Sequence, residues 1–325
     1  MTEIVLVHGI DHEQTVAGTL ESEWLVAMAD GLAGIGREDL ATSLWERGVP
    51  GPADARMAFY GDVFRSPEGD GLTAEEQREI QRRLDVRDEA TARHVLLNAA
   101  TRSTDPVARE IAERELERLR EIPPEPMGLR STAVTVTHAL LKLPYFGGGA
   151  LTALGMVKPP VRQIARYFGE EGIRREILNR VHRHLDADTR VVIGHSLGCV
   201  VAYEALWERA DAGQRKGPEL LLTLGSPLGL HPVHRLLERR PPGPPTGLRR
   251  WANFADPDDV VAAHHDHTKL FPDPHRDDPD RRTEMTAKPT TVDNGSSPHT
   301  SRHYLIKKGC ARRIEEALDA RGVPA

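Results

Sequence analysis

The sequence predicts an α/β architecture, a mostly parallel sheet flanked by helices, and three observations predict it. Short apolar, β-branched runs bounded by glycine recur near both ends of the chain, as strands covered on both faces require. Helical stretches alternate with those runs, which argues for an open parallel sheet. The zone between, residues 65–169, breaks the rhythm and reads as an insertion.

Ile4-Val5-Leu6-Val7 reads as a short buried strand ending in a glycine turn. A helix around Glu23–Gly34 and a second strand near Ala55–Phe64 follow. The middle zone opens with charged helical sequence, Glu75–Ala99. Asp105-Pro106 is then a helix start, an N-cap followed by proline at the first helical position. Ala108, Ala112, Leu116 and Leu119 form one stripe of that helix, and Pro123-Pro124 stops it.

Beyond it, Ser131–Val157 carries a single formal charge, Lys142. A membrane span is the rival reading there. Pro144, the glycines at 147–149 and several threonines interrupt it, whereas a span needs about 20 consecutive apolar residues. An insertion packed over the sheet is therefore expected.

From Glu170 the βα rhythm returns. A helix over Glu171–Leu185 precedes the strand Val191–Ile193, and a helix over Cys199–Arg209 follows it. Strands at Leu220–Leu224 and Trp251–Ala255, a weak strand at Lys288–Val292 and a closing helix at Ala311–Arg321 complete the chain. His264–Arg282, rich in His, Asp and Pro, reads as a solvated loop.

The 325 residues suffice for one sizeable core with a substantial insertion. A net charge of −6 and 5% aromatics give no electrostatic or stacking reason to expect a nucleic-acid partner. Two cysteines, Cys199 and Cys310, make no disulfide framework and point to a reducing compartment. Met1-Thr2-Glu3 leads straight into an apolar strand without a positive leader or cleavage site, so a cytoplasmic protein is expected.

The strongest chemical signal is Gly194-His195-Ser196-Leu197-Gly198. G-x-S-x-G is common by chance, but here an apolar strand leads in and an apolar helix, Cys199-Val200-Val201-Ala202, leads out. A serine at such a turn holds a strained backbone so that its hydroxyl points out of the sheet. Strand and helix then approach so closely that the positions two before and two after tolerate little but glycine.

In this motif the chain resembles the α/β-hydrolase superfamily, nearest to its lipase-like and esterase-like members. Val5-Leu6-Val7-His8-Gly9 resembles the family's early strand and His-Gly turn. The resemblance implies an oxyanion hole from the backbone N–H groups of Ile10 and Leu197, with His8 structural rather than proton-transferring. It also implies the order Ser, acid, His along the chain. Thr223-Leu224-Gly225-Ser226-Pro227 resembles the strand and turn that flank such a site, with Ser226 a turn residue.

Trp251 to Val261 looks like the strand and acid loop, where Asp256, Asp258 and Asp259 compete. Asp259, followed by Val260-Val261 as in lipase-like relatives, is favoured as the acid, with Asp256 the runner-up. Of fifteen histidines, His182, His184, His231 and His234 violate the order. His264, His265 and His267 sit with Asp266 in a polar loop and invite a metal reading. Their spacing lacks the i, i+4 pair and distant third ligand of a zinc hydrolase, so no metal is expected. His299, which precedes Tyr304-Leu305 and the final helix, resembles the family's base, with His303 the runner-up.

The resemblance thus implies an α/β-hydrolase core from residues 1–64 and 170–325, with 65–169 as a helical lid. It implies a serine hydrolase that cleaves a carboxylic ester with an apolar acyl group, without a cofactor. Peptidase or amidase, thioesterase and acyltransferase chemistry remain open on the same residues. So does a partner-controlled effector, or a non-catalytic interaction module that keeps the fold, with a regulatory protein at the lid.

Overall fold

Ile4–Val7 (β1) is fully buried and runs between two parallel neighbours, Ala55–Met57 (β4) and Val191–His195 (β5). The computed structural model describes residues 2–65 except 11, 47 and 52; residues 97, 100, 101, 106–120 and 163; and residues 166–320 except 215, 238–241, 260 and 263–265. Between β1 and β4 lie Ala17–Ala33 (α1), Glu38–Leu44 (α2) and a small antiparallel ribbon of Trp45–Glu46 (β2) and Val49–Pro50 (β3). A 3₁₀ turn, Gly61–Phe64, follows β4. Next come Pro106–Arg120 (α3), Glu171–His182 (α4), β5, and Leu197–Asp211 (α5). Then follow Leu220–Leu224 (β6), His231–Leu236 (α6), Arg250–Ala255 (β7), His267–Leu270 (α7), Glu284–Met285 (β8) and Thr290–Thr291 (β9). Ser301–Leu305 (α8) and Lys308–Asp319 (α9) close the described chain.

The main sheet has seven strands in the order β4-β1-β5-β6-β7-β8, with β9 also pairing β7, and every pairing is parallel. Strand side chains alternate between faces, and the core divides accordingly. Ile4, Leu6, Val191, Ile193, Leu220, Leu222 and Phe254 face α1, α8 and α9. Val5, Val7, Val192, Leu221 and Trp251 face α4 and α5. Helices therefore cover both faces, which is why the strands read as continuous apolar runs.

From β1 the chain crosses to β4 on one side, and from β5 to β6 on the other. The crevice at the carboxyl ends of β1 and β5 is thus a topological switch point, where open α/β sheets bind ligands.

Several expectations need adjustment. The strand near Ala55–Phe64 ends at Met57, and the chain then turns so that the Tyr60 amide can reach His8. The weak strand at Lys288–Val292 shortens to β9. His264–Arg282 is not wholly solvated: the Asp266 side chain caps α7, and His267 and Phe271 are buried. In the middle zone, α3 starts at Pro106 as the N-cap signal predicts, and Ala112 and Leu116 pack into the α4–α5 core. Glu75–Ala99 lies almost entirely, and Ser131–Val157 entirely, outside the described residues. Among the described residues, no helix is long and apolar enough to cross a membrane.

Candidate active site

β5 passes directly into α5 through Ser196, whose φ of 53° and ψ of −127° set it apart. It is the sole non-glycine residue with positive φ among the described residues. Holding a side-chain-bearing residue there costs of order 1–3 kcal/mol. The flanking glycines explain how the turn fits. A Cβ on Gly198 would lie 2.1 Å from the Val7 carbonyl oxygen, and one on Gly194 would lie 2.7 Å from that of Gly198. The start of α5 is pressed onto the end of β1. The Ser196 amide donates to Leu224 O at 3.1 Å, which fastens the hinge to β6.

The turn after β1 comes equally close. A Cβ on Gly9 would lie 2.8 Å from Ser196 Cβ, so this position admits no side chain. His8 is buried; burial first, and then the neighbouring His12, lower its pKa to about 3. The neutral ring fits its partners: Nδ1–H donates to Gly9 O at 2.7 Å, and Nε2 accepts from the Tyr60 amide at 3.0 Å. The Tyr60 hydroxyl donates to His8 O. Because the Gly9 carbonyl is held toward the His8 ring, the trans peptide directs the Ile10 N–H the opposite way. Leu197 is the first residue of α5, and its N–H has no intrahelical carbonyl to bond.

The acid loop follows β7. Asp259 is buried, and its carboxylate accepts from the Val261 and Ala262 amides at 3.1 and 3.2 Å and from the Tyr304 hydroxyl at 2.7 Å. His299 Nδ1 lies 2.9 and 2.8 Å from its two oxygens. Burial pushes the Asp259 pKa up. The His299 ring and the hydrogen bonds from His299 and Tyr304 outweigh this and hold it below the usual carboxylate value. An ionised carboxylate can only accept, so Nδ1 of His299 carries the hydrogen between them, and in the neutral tautomer Nε2 is the nitrogen with the lone pair.

The two runner-up residues sit elsewhere. The Asp256 carboxylate accepts from the Asn294 and Asp258 amides, and His303 Nδ1 donates to Asn294 O at 3.2 Å. Asn294 in turn donates from its side chain to Pro298 O at 2.9 Å. Asp256 and His303 thus both hold the backbone of Asn294, in the loop that carries His299. Of the competing groups, Asp259 and His299 are the pair in contact.

Gly225, within the Thr223–Pro227 turn, has a role that the sequence does not name. It ends β6 with φ 55°, and a Cβ on it would lie 2.6 Å from Asp259 Oδ2 and 3.1 Å from His299 Nδ1. The available signal was a glycine directly after a buried strand, between the elbow strand and the acid strand.

Ser196 stands at this switch point, and His299 reaches its neighbour His195. His195, adjacent to Ser196, bonds the His299 carbonyl through Nε2 at 2.8 Å, and the two rings lie 4.7 Å apart. Ser196 Oγ and His299 Nε2 are each buried without a hydrogen-bond partner among the described residues. Compared with protein-family models, curated proteins and solved structures, this chain matches none.

The other histidines have other surroundings. His267 Nε2 accepts from the Asn253 side chain at 3.3 Å in the core. His264 and His265 lie outside the described residues. Among the described residues, no group of three His, Cys, Asp or Glu could hold a metal ion. Ser226 is buried, and its Oγ accepts from the Leu228 amide, as a turn residue does.

Proposed function

We propose that this chain is a serine hydrolase of the α/β-hydrolase type that cleaves a carboxylic ester through an acyl-enzyme. The observation that carries the reading is Ser196, held at positive φ next to His195, which bonds the carbonyl of His299, while the half-buried His299 ring pairs with the buried Asp259, in the chain order Ser, Asp, His. A strained serine hinge without such a pair would be a tight turn, and the pair without the serine a structural ion pair.

In the proposed reaction His299 Nε2 takes the Ser196 proton as Oγ attacks the ester carbonyl carbon. Asp259 holds the Nδ1–H tautomer and stabilises the imidazolium that forms. The Ile10 and Leu197 amides receive the negative oxygen; losing one such donor elsewhere costs about 3–4 kcal/mol. The carbon–oxygen bond to the alcohol breaks, and His299 protonates that leaving group. Water then attacks the acyl-enzyme with the same proton traffic, releasing the acid and restoring Ser196. This chemistry requires no cofactor.

Residues 65–169 are proposed to form the lid, with Ser131–Val157 supplying an apolar acyl site. A stretch with one formal charge is an aggregation hazard unless it is buried. Each further methylene buried there would add about 0.8 kcal/mol, so catalytic efficiency should rise with acyl length until the site is full. A flat profile across a graded ester panel would remove the apolar site from the proposal.

The deciding experiment uses a fluorophosphonate probe, which reports an activated serine without knowledge of the substrate. Wild-type protein should label and Ser196→Ala should not, with circular dichroism unchanged. Undiminished labelling of Ser196→Ala would overturn the assignment.

A further inference from the structure

His195 sits where the three parts of the site meet, yet the mechanism above gives it no task. Its ring lies between Trp24, His299 and Tyr304, at centroid distances of 6.3, 4.7 and 6.3 Å. Nε2 is 2.8 Å from the backbone oxygen of His299. A carbonyl oxygen can only accept, so Nε2 carries the hydrogen and donates it. In the neutral ring Nδ1 is then bare; it is buried without a partner among the described residues, 3.3 Å from where a Gly9 Cβ would stand. A buried ring nitrogen without a partner is costly, and an apolar side chain at this position would avoid that cost. The imidazole is explained by what Nε2 does.

We propose that His195 is a positioning residue, whose Nε2–H holds the His299 carbonyl and so sets the base at its working distance from Ser196. The proposal rests on the hydrolase reading above. The residue before the nucleophile thereby grips the backbone of the base, so hinge and base move as one unit. Asp259 constrains only the ring of His299, and a ring pinned at one nitrogen can still swing unless its backbone is held. The same geometry sets a condition on charge. With its ring 4.7 Å from that of His299, a protonated His195 would oppose the imidazolium formed during the reaction. Burial first, and the neighbouring His299 second, hold the His195 pKa well below its ordinary value, so the ring stays neutral while His299 takes its proton.

The test compares His195→Leu and His195→Gln with wild type and Ser196→Ala. Leu removes the donor; Gln keeps an N–H at similar reach. His195→Leu should lower the fluorophosphonate labelling rate and kcat by 10- to 100-fold with KM unchanged, the scale of about 1 Å of misplacement. His195→Gln should recover most of that loss. Wild-type rates in His195→Leu, or equal losses in both variants, would overturn the proposal.

A measurement without any variant guards against a leucine form that does not fold. ¹⁵N-histidine NMR of the wild type at pH 6 should show His195 neutral and protonated at Nε2; an Nδ1–H tautomer or a charged ring would overturn the proposal. Wild-type protein that never labels would instead overturn the hydrolase reading, and is thereby distinct from a labelled wild type with an indifferent His195→Leu.

Discussion

Gly225→Ala tests the geometry of the site without removing any reacting group. The added Cβ would stand 2.6 Å from Asp259 Oδ2, against about 3.4 Å for ordinary contact, so the carboxylate must withdraw by about 0.8 Å. His299 Nδ1, 2.8 Å from that oxygen, would have to follow or lose its partner. Misplacement of about 1 Å can cost on the order of 100-fold in rate, so a 10- to 100-fold fall in labelling rate and in kcat is expected. An alanine at φ 55° also costs roughly 1–2 kcal/mol of stability. Gly213→Ala separates the two effects. It has φ 86° and nothing within 4 Å of its Cβ, so it carries the backbone strain without the collision. Urea unfolding should find both variants destabilised by similar amounts, while only Gly225→Ala loses labelling. A folded Gly225→Ala that labels at the wild-type rate would refute the reasoning.

Other predictions concern the acid and the response to pH. Asp259→Asn should cost several orders of magnitude in turnover, because an amide can donate to Nδ1 and leave Nε2 protonated; Asp256→Asn should cost far less, by loosening the Asn294 loop. The reverse ranking in esterase assays would exchange their roles. Stability should also fall as pH drops from about 6.5 toward 3. Over that range an unfolded chain binds a proton on His8 and the folded protein, with its pKa near 3, does not. That ring contributes about 1.4 kcal/mol per pH unit, and the depressed pKa of His195 acts in the same direction. Asp259, whose folded pKa is also depressed, adds a loss below about pH 4, where its unfolded counterpart takes up a proton. Urea unfolding at pH 7, 6 and 5 measures the trend, and unchanged stability between pH 6 and pH 5 would contradict the His8 and His195 contributions.

By itself the sequence determined the parts of this protein that depend on short-range rules. Apolar runs such as Ile4–Val7 and Leu220–Leu224, with Thr223 the one polar residue among them, are short and bounded by turn signals, as strands covered on both faces are. Gly194 and Gly198 flank a serine between strand and helix; the approach at Gly194 is local to that turn, whereas Gly198 makes room for the end of β1. The Asp105-Pro106 signal likewise marked the start of α3.

The sequence could rank Asp259 over Asp256 and His299 over His303 by their neighbours, but could not exclude the alternatives. Both aspartates sit in one turn, and both histidines lie within five residues of one another. Which pair meets depends on how β7 and the loop after β9 are brought together, across some forty residues of intervening chain. The same holds for Gly225 and for the grip of His195 on the His299 carbonyl. The flanking residues mark Gly225 as a turn after a buried strand but do not name what it makes room for, because the atoms that both residues accommodate belong to other strands and loops. Local sequence encodes backbone conformation and burial, which are set within a few residues. Hydrogen bonds and steric exclusions between distant segments exist only once the sheet has ordered its strands.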